Sequence, residues 1–425
     1  MMLASGGSVN DANPSHQEVD DNMDVDVEMM EMEAGGGVPP AEPAHDLDGD
    51  EISESFDPYS VLNDMSDEDL EDLEEIKLIM SQKTQERRFK WYYERKNWHN
   101  YTEGLIYTNE FENRYRMEVD EFYHLMEGLR DAITVNYTRS YASTQGNDPM
   151  YPEVIMACGL RYLGLGDGVA ALSDIHGYSK PSVKRAINLF LDAVDYNEDI
   201  PELQIALPDP NDEDAIHGLA TRWSDLSTKD GLFNYHVAAL DGWLPRTEMP
   251  SDVDNKGDYF SGHYQCFGLN VQAMCGPDLL FLYLCIAAPG KTNDIRAFEW
   301  CEGLKSWLDS LPDKYFISAD NAYSLSRRIL IPFSGAEASI DHNRTYNYYL
   351  SQLRIRIEMT FGLLTTKWRR LRMTLNCTSE KNAKIIRVCA KLHNYCIRIS
   401  KLVVRHMRKG STLTALNHRG LVSPP

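Results

Sequence analysis

Apolar positions along the chain follow a helical rhythm up to about residue 200 and a strand rhythm after residue 232. In FENRYRMEVDEFYHLMEGLRDAI (111–133), Val119, Phe122, Leu125 and Leu129 recur at near-helical spacing and predict a helix. YPEVIMACGLRYLGLG (151–166) reads as a second helix that ends at glycines. In ALSDIHGYSKPSVKRAINLFLDAV (171–194) a short helix runs to His176-Gly177-Tyr178, Ser179 is placed as an N-cap, and Pro181 comes early in a helix carrying Lys184 and Arg185. Helix, tight glycine turn and capped basic helix make a helix-turn-helix-like segment, a pattern that also occurs in bundles that never touch DNA.

The rhythm changes at FNYHVAAL (233–240), an apolar run that reaches Asp241-Gly242. YQCFGLNVQAM (264–274) alternates as a strand does, a Gly-Pro turn follows, and LLFLYLCIAA (279–288) is a continuous apolar run, so the pair reads as a hairpin. NDIRAFEWCEGLKSWLDSL (293–311) has apolar residues at 295, 298, 301, 304 and 308, which predicts one helix. A short buried strand, Tyr315 to Ala319, leads to Asp320. The segment 346–371 predicts a long helix whose stripe is Leu350, Leu353, Ile357, Phe361, Leu364, Trp368 and Leu371. Strand, hairpin, helix, strand, helix is an α/β order. It brings Asp241 and Asp320 to neighbouring strand ends, where an open sheet commonly builds its site.

These rhythms divide the chain. Residues 1–75 are expected to be a disordered acidic tail, 76–109 a basic aromatic helical segment, and 110–200 the helical region. Residues 201–232, rich in Pro and Asp, read as a linker, 233–400 as the α/β domain, and 401–425 as a basic tail. The formal net charge of -23 is carried by the first of these, since residues 1–75 hold 24 of the 65 acidic residues and none of the 42 basic ones. The remaining 41 acidic and 42 basic residues nearly balance, so the charge does not exclude a nucleic-acid partner for the folded body. SQKTQERRFKWYYERKNWH (81–99) interleaves basic and aromatic residues. It suits phosphate contact with base stacking or a nuclear import signal, and equally an amphipathic helix packed on the next domain.

No apolar stretch is long enough to span a membrane, and MMLASGGSVNDANPSHQ has neither the basic nor the apolar region of a secretory signal. Eight cysteines lie scattered, several in apolar runs such as Cys275 and Cys285, as expected for buried free thiols in a reducing compartment. Cys389, His393 and Cys396 lack the second ligand pair that a structural zinc site needs.

The candidate chemistry is a set of carboxylates. Phosphodiester cleavage with magnesium or manganese needs hard oxygen ligands, which also offset the metal's charge. Asp241 and Asp320 sit at the strand ends, and Glu358 lies beside the apolar stripe of the closing helix, placed to point across the sheet. Asp294, in GKTNDIRAF, is either a helix N-cap or a fourth ligand. Basic residues flank this set: Arg354 and Arg356 before Glu358, and Lys367, Arg369, Arg370 and Arg372 after it. They are candidate phosphate contacts, as Lys184 and Arg185 are in the helical region.

The ordered pieces ALDGW (239–243), APGKTNDIRAF (288–298), ISADNAY (317–323), RIRIEMTFGLL (354–364) and LHN (392–394) resemble the Harbinger-type transposases, the family with a DDE endonuclease domain. The resemblance covers roughly residues 110–396. It implies an RNase H-like catalytic domain preceded by a helical region, with Asp241, Asp320 and Glu358 as the catalytic triad and Asp294 as an additional metal-binding residue. It also implies a divalent cation (Mg2+ or Mn2+), DNA as substrate, a nuclear location, a Myb-like DNA-binding partner protein and possible homo-oligomers. The flanks differ from the family pattern: Trp243-Leu244 stands where Thr-His is common, and Ala319 and Asn321-Ala322 where glycines are common. A catalytically silent DNA- or protein-binding descendant is the alternative these departures keep open.

Overall fold

The computed structural model describes residues 94–138, 149–228 and 231–408. The acidic tail (1–75), residues 76–93 of the basic aromatic segment, and 409–425 of the basic tail lie outside the described residues.

The helical region contains α1 (Trp98–Tyr107), α2 (Phe111–Tyr115), α3 (Val119–Ile133), α4 (Pro152–Gly164), α5 (Val169–His176) and α6 (Lys180–Asp195). A reciprocal capping box between Glu118 and Glu121 starts α3, and the predicted stripe at Phe122, Leu125 and Leu129 is fully buried. The α5–α6 turn forms as the sequence implies. Gly177 takes φ +71°, and the Ser179 hydroxyl accepts the Ser182 N–H. A Cβ at Gly177 would meet the Glu94 carbonyl oxygen at 2.1 Å, so the chain entering α1 lies directly on this turn. The adjacent Arg95 guanidinium stands 4.6 Å over the Tyr178 ring.

Residues 201–232, expected as a linker, hold a helix instead. In α7 (Glu213–Ser224), the Asp212 side chain caps the Ala215 N–H, and Ile216, Leu219, Ala220 and Trp223 are buried. Trp223 donates to the Val237 carbonyl at 2.9 Å, tying the helix to the first strand. The Pro- and Asp-rich text before α7 hid its four apolar positions.

The strands are β1 (His236–Trp243), β2 (Phe260–Ser261), β3 (Cys266–Phe267), β4 (Leu269–Cys275), β5 (Phe281–Pro289), β6 (Phe316–Ser318) and β7 (Ile329–Leu330). Five of them make one mixed sheet in the order β5-β4-β1-β6-β7. The β1–β4 and β4–β5 pairs are antiparallel, while β1–β6 and β6–β7 are parallel. β2 and β3 form a separate small hairpin. Helices α8 (Asp294–Glu299), α9 (Glu302–Ser310), α10 (Asp341–Lys367) and α11 (Ser379–Arg408) complete the order.

The sheet's two faces bury different partners. Ala239, Val271, Ala273 and Phe281 share a core with α10, α11 and the helical region. Val237, Leu240 and Met274 share the other core with α7, α9 and Tyr323. The protein is therefore a mixed α/β fold with helices on both faces of a five-stranded sheet, an arrangement consistent with an RNase H-like fold.

Several boundaries differ from expectation. β1 begins at His236, because Phe233 takes φ +61° and cannot extend the strand. It also runs on through Asp241 to Trp243 rather than stopping before the carboxylate. The strand expected at 264–274 breaks at Gly268, whose N–H bonds Tyr259 O instead of a ladder partner. The helix expected at 293–311 divides at Trp300-Cys301 into α8 and α9. α10 starts at Asp341 and stops at Lys367, and a 3-10 turn carries Arg369–Arg372.

Candidate active site

Parallel pairing of β1 and β6 sets the first two carboxylates. Ala239 lies opposite Ser318, so Asp241, further along β1, and Asp320, just past the end of β6, each follow that pair by two residues. Asp241 Oδ1 accepts its neighbour Gly242 N–H at 2.8 Å, and Asp320 Oδ1 accepts Ala322 N–H at 2.9 Å. Each carboxylate is thus oriented by a backbone donor one or two residues further along its own chain segment. Burial, the Asp320 charge and the Glu358 charge push Asp241 up from 3.8 to about 7, against the lowering effect of the Gly242 N–H and Arg354. Burial raises Asp320 as well, reinforced by the charges of Asp294 and Glu358.

Glu358 comes from α10. Its helix is held over β1 by packing that includes Trp243 against Phe361, with ring centroids 5.5 Å apart. Arg354, one turn earlier, places Nη1 2.5 Å from Glu358 Oε1 and 3.9 Å from Asp241 Oδ2.

Asp294 is not the cap of its helix. Asn293 caps α8 by accepting the Arg296 N–H at 3.0 Å, which frees the next side chain. Asp294 Oδ1 accepts from Asn270 Nδ2 at 3.1 Å and Gln272 Nε2 at 3.0 Å, and it abuts Gly242 on β1. The Tyr323 hydroxyl donates to Gln272 Oε1 at 2.6 Å, so Asn270, Gln272 and Tyr323 form a buried polar bracket behind the carboxylate. Sequence reasoning missed this bracket. Its signal was present in LNVQAM, where the two polar residues alternate on one face of an apolar strand. It also missed Tyr264, an exposed residue of the β2–β3 turn that feels the charges of Asp294, Asp241 and Asp320.

Residues 240–394 match the family model described as DDE superfamily endonuclease. Over that span the chain is similar to the DDE superfamily endonucleases. All four candidate carboxylates and the closing LHN fall inside the matched span. Two curated relatives are similar at low identity. "Protein ALP1-like" of Arabidopsis thaliana is 21% identical over 308 residues, spanning 69% of this chain and 72% of the relative. "Putative nuclease HARBI1" of Xenopus laevis is 22% identical over 251 residues, spanning 58% of this chain and 68% of the relative. No solved structure gives a significant match.

Within the matched span the donor set suits a divalent cation. It consists of hard carboxylate oxygens, and their mutual repulsion with burial lifts Asp241 and Asp320, a cost that a bound cation would relieve. As the side chains stand, no three His, Cys, Asp or Glu among the described residues are gathered tightly enough to hold a metal ion.

The candidate phosphate contacts separate. Lys184, Arg185 and Arg369 are exposed, Lys367 is half-buried, and Arg354 lies in the site. Arg370 is a correction. It is buried, its guanidinium stands 4.9 Å over the Tyr162 ring, and its Nη2 donates to Asn376 Oδ1 at 2.7 Å. It joins the 3-10 turn to α4 and is not available to DNA. The rear flank of α6 is also committed, since Lys381, Lys384 and Arg387 of α11 bind its Asn188, Asp192 and Asp195. All eight cysteines are free, with Cys275 buried and Cys285 half-buried. Among the described residues no helix is long and apolar enough to cross a membrane.

Proposed function

We propose that this chain is a divalent-metal-dependent DNA endonuclease of the DDE transposase type, either a transposase or its domesticated descendant, with an RNase H-like catalytic domain. The observation that carries this reading is the placement of Asp241 on β1 and of Asp320 two residues past the end of the paired parallel strand β6, with Glu358 on α10 beside Asp241 through their shared Arg354. The family match and the nuclease in one relative's name support it.

In this reading Asp241, Asp320 and Glu358 hold Mg2+ or Mn2+, and Asp294 adds a fourth carboxylate. Bound in a two-metal arrangement, the cations would activate the attacking oxygen and offset charge on the leaving one. The protein's own contribution is orientation. Backbone N–H groups fix Asp241 and Asp320, and the Asn270–Gln272 bracket fixes Asp294. Exposed Lys184, Arg185 and Arg369, with Lys367, are the proposed phosphate contacts. A nuclear location, a Myb-like partner protein and self-association belong to the same reading.

The experiment is nicking of labelled DNA by the full chain with Mg2+ or Mn2+, compared with Asp320→Ala at matched folding. Cutting by the first and not the second is expected; cutting retained by Asp320→Ala overturns the site. A second reading, a catalytically silent binding module, draws on the Arg354–Glu358 ion pair, which ties a triad carboxylate to a protein cation. It predicts DNA binding with no metal-dependent cutting.

A further inference from the structure

Arg354 and Glu358 are four residues apart on α10, the spacing that sets two side chains side by side on one helix face. The Arg354 guanidinium contacts Glu358 at 2.5 Å, approaches Asp241 to 3.9 Å, and acts on Asp320 as a neighbouring positive charge. One permanent cation therefore faces three carboxylates.

Those carboxylates differ in freedom. Asp241 and Asp320 are each held by a backbone N–H, the first on β1 and the second just past the end of its parallel neighbour β6. The Glu358 side chain is 46% exposed, and it is ion-paired with Arg354. Its rotamer is set by the guanidinium rather than by the sheet. A divalent cation at Asp241 and Asp320 would compete with the guanidinium for the same oxygens.

We propose that Arg354 is a positioning residue that keeps Glu358 off the cation site, so that cation loading requires the Arg354–Glu358 pair to open. This rests on the reading above, that these carboxylates hold a divalent cation. Asp241 and Asp320 form the preset half of the site, and Glu358 closes it last. The guanidinium thereby sets the cation concentration at which the site becomes complete.

The test is calorimetric titration of Mn2+ into the full chain without DNA, so that the readout is affinity and not activity. The proteins are wild type, Arg354→Gln, Arg354→Lys, Glu358→Gln, the Arg354→Gln/Glu358→Gln double variant, and Asp241→Asn, each checked by its melting curve. Arg354→Gln is expected to bind Mn2+ about three- to tenfold tighter than wild type, the range open to a partly exposed charge pair. The gain should vanish in the Glu358→Gln background, and Arg354→Lys, which keeps the charge, should stay near wild type. Affinity unchanged or weakened in Arg354→Gln, with Asp241→Asn still abolishing binding, overturns the proposal and leaves the cation site standing. Wild-type affinity in Asp241→Asn would instead remove the cation site itself, and the proposal with it.

Discussion

A Cβ placed on Gly242 would lie 2.1 Å from Asp294 Oδ1, so the missing side chain at 242 is what lets the α8 carboxylate stand against β1. The contact joins two motifs that are far apart in sequence, the DG of ALDGW and the ND of GKTNDIRAF. It also places Asp294 beside the strand that carries Asp241.

Gly242→Ala should therefore act through Asp294. The carboxylate must shift, and its bonds from Asn270 and Gln272 stretch or break, so each buried amide loses one of its two acceptors. The expected loss is about 1–3 kcal/mol in a urea melt. Combining Gly242→Ala with Asp294→Ala should cost less than the two single changes together, because both act on one contact. Strict additivity in that double-mutant cycle would mean that the two residues do not meet.

Asp241 gives a pH signature. Its folded-state value of about 7 lies above the ordinary 3.8, so between those values the folded state keeps a proton that the unfolded chain gives up. The stability this proton contributes is full below about pH 4 and is lost as pH rises through 7. Asp241→Asn should then raise stability at pH 8 by on the order of 2–4 kcal/mol and change little at pH 4. Saturating Mg2+ should narrow the gap at pH 8 by stabilising the wild type alone. A variant less stable than wild type at pH 8 would contradict the buried, repelled carboxylate.

Three buried imidazoles act in the opposite sense. Burial pushes His236 down to about 3, and His176 and His393 down to about 4, with nearby positive charges adding to the effect at the last two. The unfolded chain takes up these protons from about pH 6.5 downward, so the stability from keeping the rings neutral falls away between pH 6.5 and 4. Melts at pH 7, 5.5 and 4.5 should show that decline. It should be steeper in Asp241→Asn, which lacks the compensating carboxylate. A flat profile would mean that the rings are accessible to protons in the folded state.

The α6–α11 clamp tests burial against exposure in one place. Arg387 binds Asp195 through two bonds of 2.6 and 2.7 Å, and the Asp195 side chain is 2% exposed. Arg387→Ala should cost about 2–4 kcal/mol, because it leaves that carboxylate buried without its partner. Lys384 pairs with the half-exposed Asp192, and Lys384→Ala should cost under about 1 kcal/mol. Equal losses in thermal melts would refute the distinction.

The approach of Asp241 and Asp320 was legible in the apolar runs before them, although β1 continues through Asp241 and β6 stops two residues short of Asp320. The α10 stripe was legible in the same way. Leu350, Leu353, Ile357 and Leu364 are buried at their predicted spacing, and Trp368 and Leu371 stay buried beyond the helix end, in and beside the 3-10 turn. Periodicity could not show α7, whose apolar residues follow a Pro- and Asp-rich stretch, or β7, which is two residues long. Charge counting misread Arg370, because only the fold brings Tyr162 beneath it. It also offered Arg354 as a phosphate contact without revealing that Glu358 holds it. The cap question at Asp294 turned on Asn293, a neighbour equally able to cap.

The most direct measurement is the initial rate of Mn2+-dependent plasmid nicking by the full chain and by Glu358→Gln, at equal DNA binding and equal melting temperature. Nicking by the wild type that falls at least about a hundredfold in Glu358→Gln is the predicted result, since the change removes a ligand oxygen's charge from the reacting site. The same background rate from both, with folding and DNA binding intact, would contradict the nuclease account and favour the silent binding module.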